Sequence, residues 1–405
     1  MKKYILLLLI TLSLNISAAR LYVNISATGA NNGTSWVNAY TKLQNAIDAA
    51  AVSDEIWVAA GTYLPTKDAS GNAFPSTDRM KNFHLDKNIK IYGGFVGTET
   101  SLSQRNWVTN ITTLSGDFNN NDVVTGAGNT LSFANYGENA YHVVITVGLT
   151  AAATLDGFTI SGGAANGNVS FFYSGEQFGG SNGGGMLNDG GSSPTIRNST
   201  FTNNYAVNEG GGMFNTYSSN PIIINSTFLK NRANSAGGGI FNDDSSPTIL
   251  NSTFLSNHSN WTGGGMSNVR GSHPTIRNSI FLKNHSLSNG GGVHNDDSSP
   301  TILNTTFVNN NGLEANYAGE QGGGIYNIGS NPTITNCIFW HNTINWDYNR
   351  FGAGIGNYTA YPRASFPVVT YSITQAYGPH SSGTGIIHNQ DPLFVDAAND
   401  DYSLQ

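Results

Sequence analysis

Acidic residues recur in this chain on a fixed beat. Asp243-Asp244 and Asp296-Asp297 each lie in the same Asn-Asp-Asp-Ser-Ser-Pro run, and Asp189-Gly190 holds the matching place earlier. Adjacent carboxylates suit two kinds of chemistry: calcium ligation, or the acid and base work of glycosidic cleavage. The same run is also good turn chemistry unaided, because Asp and Ser side chains bond the backbone beside them and Pro fixes a bend. On that reading Asp243→Ala costs no more than about 0.5 kcal/mol.

A second set is flat and apolar. Leu187, Phe214, Phe241, Ser267, His294 and Tyr326 occupy one repeated slot, and Tyr217 lies beside it. That slot follows the core column and faces outward, so Phe214, Tyr217, Phe241, His294 and Tyr326 are candidates for a ligand platform that stacks on sugar rings. The plainer alternative is a row of surface apolar residues, tolerated or covered by long loops. His258, His285 and His341 sit in or just after a corner without metal-ligand spacing and read as turn residues. No catalytic set and no cofactor motif stands out, calcium at the acidic turns being the one cofactor candidate.

What must position these residues is a repeat. Gly-Gly-Gly-apolar-X-Asn opens at Gly183, Gly210, Gly237, Gly263, Gly290 and Gly322, at spacings of 27, 27, 26, 27 and 32 residues. Each return is followed by Pro and by Phe-X-X-Asn. A fixed period of this size signals a stacked solenoid. Inside one unit there is no helical period. Short apolar runs at 239–242, 248–251 and 253–255 alternate faces as strands do, with Gly-rich and Asp-Ser-Ser-Pro turns between them. Three columns follow as core: Met186 to Ile325, Ile196 to Ile334 and Phe201 to Phe339. Each buried member contributes about 1.5–3 kcal/mol, so a rung needs its neighbours.

Two polar columns also recur: Asn188, Asn215, Asn242, Asn268, Asn295, Asn327; and Asn198, Asn225, Asn251, Asn278, Asn304, Asn336. Inward Asn side chains at a corner would bond the rung above and below as a ladder. The Asn198 column is assigned this structural role, and Asn251→Ala is expected to cost about 1–3 kcal/mol. Glycosylation of the Asn-Ser-Thr triplets is the competing reading, but the corner geometry already accounts for the Asn.

Composition fits an exported β protein. Charged residues are 11%, Gly numbers 49 and the formal net charge is −7. Without basic clusters that balance argues against nucleic acid and anionic membranes. Lys2-Lys3, the apolar run 5–14 and Ser17-Ala18-Ala19 read as a signal peptide too short to span a bilayer. The lone Cys337 stands in the slot of Ser199, Ser226, Ser252 and Ser279, and reads as a buried, inert thiol.

Before the repeats, Asn38 is expected to cap an amphipathic helix with Leu43, Ala46, Ile47 and Ala50 on one face, closing the first rung. The stretches 56–59, 89–95, 113–115, 143–145 and 154–160 read as irregular early rungs. Leu155 and Ile160 take the slots of Ile196 and Phe201, while 166–181 and 312–321 read as loop insertions. The Gly-Gly-Gly-Ile/Met and Phe-X-X-Asn pattern resembles the repeats of chlamydial polymorphic outer-membrane proteins. Asp54 to Tyr63 and Tyr92 to Glu99 are similar to the opening of secreted pectin-lyase-like β-helix proteins. Asp391 to Tyr402 resembles the segment that precedes a cell-surface anchor in those proteins. The resemblance implies a surface or secreted role and a chain that stops before its anchor. In lyases of that kind clustered acids face an Arg or Lys base. Here Arg197 and Arg277 lack an acidic pair beside them, apart from Asp189.

The expectation is therefore an all-β, right-handed single-stranded parallel β-helix of roughly ten rungs with an N-terminal helix cap and a poorly closed C-terminal end. Its parts are the signal (1–19), cap region (20–65), irregular rungs (66–182), regular repeats (183–357) and C-terminal segment (358–405). The expected function is non-catalytic and extracellular, an adhesin-like or glycan-contacting protein; a polysaccharide lyase or hydrolase is the alternative. Its expected partner is an extracellular polysaccharide or a cell-surface glycan, with no membrane insertion of the mature chain.

Overall fold

The computed structural model describes residues 18–173, 176–313, 322–344, 354–358, 362–374, 384–396 and 401–404. Residues 1–17 of the expected signal segment (1–19) and 314–321 of the expected insertion (312–321) lie outside them. Each regular rung carries three short strands and a fourth, two-residue one that the sequence pattern does not reveal: Ile240–Asp243, Thr248–Leu250, Thr253–Leu255 and His258–Ser259. Equivalent strands pair in parallel from rung to rung, in register, as in Ile223↔Ile249↔Ile276 and Phe228↔Phe254↔Phe281. Four parallel sheets result among the described residues, with 11, 11, 9 and 7 strands. The irregular early rungs join the same sheets, with Leu155 opposite Ile196 and Ile160 opposite Phe201.

Three apolar columns fill the interior. The Met/Ile, Ile and Phe positions of the repeats are fully buried and form one continuous cluster. Phe201, Phe228, Phe254, Phe281, Phe307 and Phe339 stack with centroids 4.4–4.9 Å apart. That spacing is the strand repeat itself. Two Asn ladders close the corners of this interior. Asn188 donates to Asn215 (2.7 Å), Asn215 to Asn242 (2.8 Å) and so on to Asn357. The Asn of Phe-X-X-Asn forms the other: Asn257 Nδ2 donates to Asn284 Oδ1 (2.9 Å) and to the Phe228 carbonyl (2.8 Å).

The Asn198 column behaves differently from the expected inward ladder. Its amides do bond in sequence, Asn251 to Asn225 at 3.2 Å and Asn278 to Asn251 at 3.1 Å, but on the surface. Every member has φ between 47° and 54°. This is the left-handed bend between the Ile and Phe strands, which Asn tolerates better than other side-chain-bearing residues. The bend points the amide outward.

At the N-terminal end the helix Leu43–Ala49 covers the first rung with Leu43, Ala46 and Ile47 buried. Its N-cap is Lys42 rather than Asn38; Asn38 Oδ1 instead accepts the Ala30 N–H in the preceding loop. Lys87 Nζ bonds the last carbonyls, of Ile47, Asp48 and Ala50, at 2.8, 3.1 and 2.9 Å. A cation there satisfies orphan acceptors and the helix dipole together. Cys337 is buried in the Ser column and burial pushes its thiol up to about 12. The insertion at 166–181 contains an antiparallel hairpin, Ser170–Tyr173 with Glu176–Gly179. The strand Phe394–Asp396 pairs with Asp401–Leu404, and Phe394 and Tyr402 pack on Leu282, Val308 and Ile338 along the side of the Phe sheet. No helix among the described residues is long and apolar enough to cross a membrane.

Candidate functional site

The flat stripe forms as a column, but it is not exposed. Leu187, Phe214, Phe241, Ser267, His294 and Tyr326 are all buried. The first Gly of each triplet explains this. Gly210 and Gly237 bend at φ of 68° and 67°, and a side chain on either would meet the Cβ of Phe214 or Phe241 within 2.9 Å. The Gly turn thus lies against the stripe and shields it. Ala69, Ala236 and Met80 add further cover. Phe214 stacks on Phe241 with centroids 5.5 Å apart, and His294 on Tyr326 at 5.8 Å. Ser267 bridges the two pairs through His294 Nδ1 at 3.4 Å. Of the expected platform only Tyr217 stands in solvent, 67% exposed on a left-handed turn.

Where the cover is incomplete a groove of about 420 Å³ opens. Leu187, Phe214 and Phe241 form its floor. Asp189 and Asp243 at the ends of their strands, with Thr216, Tyr217 and Arg270 from the turns at the same edge, form one wall. Asn182 and Glu209, from the approach to the Gly triplets, form the other. Arg270, one rung beyond Asp243, grips both oxygens of that carboxylate through Nε and Nη2. The fork matches a carboxylate bidentately and sets its plane. Asp189 Oδ1 accepts the Gly190 N–H at 2.6 Å. Burial raises the Glu209 carboxyl above its ordinary range, against a bond from Ser235 and the charge of Arg270.

The second acidic pair is similarly paired. Arg363 binds both Asp296 and Asp297, the latter at 2.9 Å. Asp244 turns the chain at φ 48° and accepts from Ser218 Oγ at 3.3 Å. Each acidic pair, at a strand end and the turn after it, is thus met by a single guanidinium. Among the described residues no three Asp, Glu, His or Cys side chains converge as metal ligands. His258 and His285 stack beneath the corner with Nδ1 atoms 3.1 Å apart, and burial pushes both down to about 4.

Two members of the groove escaped the sequence reading. Glu209 is the one acid in the column that precedes the Gly triplet, alongside Asn182, Ala236, Thr262 and Asn289. Arg270 shares a column with Tyr217, Asp244 and Asp297, so it falls between acidic rungs. The column before the triplets marks Glu209 as its one acid, whereas the role of Arg270 needs the contact with Asp243 across rungs, which alignment alone does not give.

The right-handed β-helix region family model matches residues 119–339, more than half of the chain. The chain belongs to that family. Its fold is also similar to the crystal structure of pectate lyase Pel9A, with a TM-score of 0.52 and 14% identity over 94% of this chain and 84% of that one. At that identity the likeness concerns architecture. No curated protein sequence matches the chain.

Proposed function

We propose that this is an exported, non-catalytic β-helix protein that contacts an extracellular glycan through the groove above Leu187, Phe214 and Phe241. The exposed Tyr217 ring at the rim of a polar-walled, apolar-floored groove carries the reading. Sugars present CH faces to aromatic rings and hydroxyls to carboxylates, and this wall offers both. Charge narrows the ligand. Three carboxylates face one guanidinium, which is already paired with Asp243, so a polyuronate meets repulsion and a neutral glycan does not. Arg270 and Arg363 supply the countercharge at the acidic turns without calcium. Export rests on the Lys2-Lys3, apolar and Ser-Ala-Ala sequence, and predicts a mature chain starting after Ala19.

Affinity electrophoresis of the mature chain through neutral and acidic polysaccharides tests this. Retardation by a neutral polymer is expected, with Tyr217→Ala weakening it about tenfold, a loss of about 1.4 kcal/mol. Retardation unchanged in Tyr217→Ala would remove the groove from the reading. Cleavage is the second reading, favoured by the raised Glu209 carboxyl near Arg270, a pairing suited to proton transfer. Turnover of any polymer that vanishes in Glu209→Gln would install it instead.

A further inference from the structure

Outside the residues that line the groove, an early rung ends in a hairpin arm whose base holds an unusual set of oxygens. After the strand Thr112–Ser115 the Asp117 carboxylate accepts the N–H groups of Asn119 (3.2 Å), Asn121 (3.2 Å) and Asp122 (3.1 Å). This curl delivers Asp122 beside the returning end of the arm. The arm itself is the antiparallel pair Val123–Thr125 and Ser132–Ala134, and it comes back through Glu138 and Asn139. Asn139, 1% exposed, donates its amide to Asp122 Oδ2 at 2.7 Å.

Three oxygens at this base accept nothing. Asp122 Oδ1, Glu138 Oε1 and Asn139 Oδ1 are shut off from solvent and have no hydrogen-bond donor. The Arg79 charge acts on Glu138, but its Nε and Nη2 bond the Asn139 carbonyl (2.7 Å), the Ala164 carbonyl (3.0 Å) and the Asn166 side chain, and it bonds neither carboxylate. Burying such acceptors unsatisfied costs about 1–3 kcal/mol each, more when charged. An occluded carboxylate with another carboxylate near it calls for a cation. Burial, with the Asp117 and Glu138 charges adding, holds the Asp122 carboxyl up at about 6. Asp122 also lines a groove of about 280 Å³ with Thr62, Ser115, Asp117 and Asn203, which gives solvent an approach to the Asp122 side of the base; Glu138 and Asn139 do not line it.

We propose that Asp122, Glu138 and Asn139 hold a calcium-class cation, with water and backbone carbonyls completing its shell. Two carboxylates and an amide carbonyl are an all-oxygen, hard donor set, the kind calcium takes in flexible geometry. Asp117 is spoken for by three backbone N–H groups and acts by shaping the loop. The ion would fasten the arm at its base. That arm reaches over the corner sheet: the Leu131 carbonyl accepts from Arg232 Nη1 at 3.0 Å, and Gly128 lies against the His285 ring. Cation binding would therefore protect residues 118–138 from proteolysis.

Calorimetric titration of calcium chloride into chelator-stripped mature chain tests the site, with limited proteolysis of the arm alongside. One binding event and calcium-dependent protection of the arm are expected. Asp122→Asn and Glu138→Gln should each weaken binding at least about tenfold, since ligand charge sets calcium affinity. The double change Asp243→Asn with Asp244→Asn should leave it unaltered. No heat and no protection in the unaltered protein would overturn the proposal. So would binding that survives Glu138→Gln and Asp122→Asn, or that disappears only when the Asp243 turn is changed. Should either single variant fold poorly, calcium-dependent protection in the unaltered protein still decides.

Discussion

Asn251 and Asn257 are six residues apart, recur with one period and both bond to their counterparts in neighbouring rungs, yet they do opposite jobs. Asn257 is fully buried, and its amide ties the Phe228 carbonyl and Asn284 while its carbonyl takes two donors from Asn231. Asn251 lies in solvent at φ 51°, and its amide bonds, 3.2 and 3.1 Å, belong to a surface row that water can replace. That row ends on Asp156, whose carboxylate Arg105 holds at 2.8 Å. The buried column closes a corner that water cannot reach; the exposed one permits a backbone bend. Periodicity alone does not tell the two apart, because the repeat fixes both equally.

The largest expected effect belongs to the buried side and is set by acid. Burial pushes His142, His258, His285 and His294 down to about 4 each. In the unfolded chain these imidazoles titrate near the ordinary value of about 6.5. Between those values the unfolded state binds more protons, so stability rises with pH. It is complete above about 6.5 and is lost as pH falls toward 4. Thermal melts from pH 7.5 down to 4.5 should show the midpoint dropping steeply. A midpoint that stays level would mean that these rings are hydrated. His258→Asn with His285→Asn should flatten the slope, since Asn311 already occupies that column.

Next comes Asn257→Ala. It strands the Phe228 carbonyl and the Asn231 N–H within a dry corner, and a loss of about 3 kcal/mol is expected in urea unfolding. Loss below about 1 kcal/mol would show that water enters the corner and replaces the amide.

How much of this was readable follows the same line between inside and outside. The Ile, Met and Phe columns, the parallel register and the helix over the first rung follow from alternation and the period, because burial of an apolar side chain leaves one face to choose. Phe214 and Phe241 were misplaced as exposed because alternation puts them outside the strand. What covers them is the Gly triplet, whose bend at positive φ brings backbone over its own rung. The Asp243–Arg270 pair was missed since its members come from different rungs and unlike turns. Asp122, Glu138 and Asn139 lie in a non-repeating arm, so no column marks them. The contact of Asp122 with Asn139 depends on the three-N–H curl at Asp117, a tertiary fact.

On the outer side the structure reverses an expected ranking. Asp243, which as a mere turn residue should be nearly silent, is 7% exposed and gripped by Arg270. Its replacement by Ala is expected to cost about 1 kcal/mol, held down by solvent screening of the largely exposed guanidinium. Urea unfolding with and without 1 M salt would check it; salt should shrink the difference. An unchanged cost at high salt would assign the effect to packing rather than charge.

The smallest effect separates backbone from amide at Asn251. If the column serves the bend, Ala suffers because its Cβ crowds the following carbonyl in the left-handed region, a cost of about 1 kcal/mol. Gly meets no such crowding, so Asn251→Gly should fall below about 0.5 kcal/mol although it removes the same amide. If instead the surface row of amides holds the rungs together, both substitutions lose it and both should cost alike. Measuring the two variants by urea unfolding on the same day therefore reads the conformation directly. Ala worse than Gly assigns the Asn225–Asn251–Asn278 row to the turn. Equal losses above 1 kcal/mol would return it to the role of a ladder. The sign of the difference matters more than its size, since glycine also loosens the unfolded chain and works against the result predicted here.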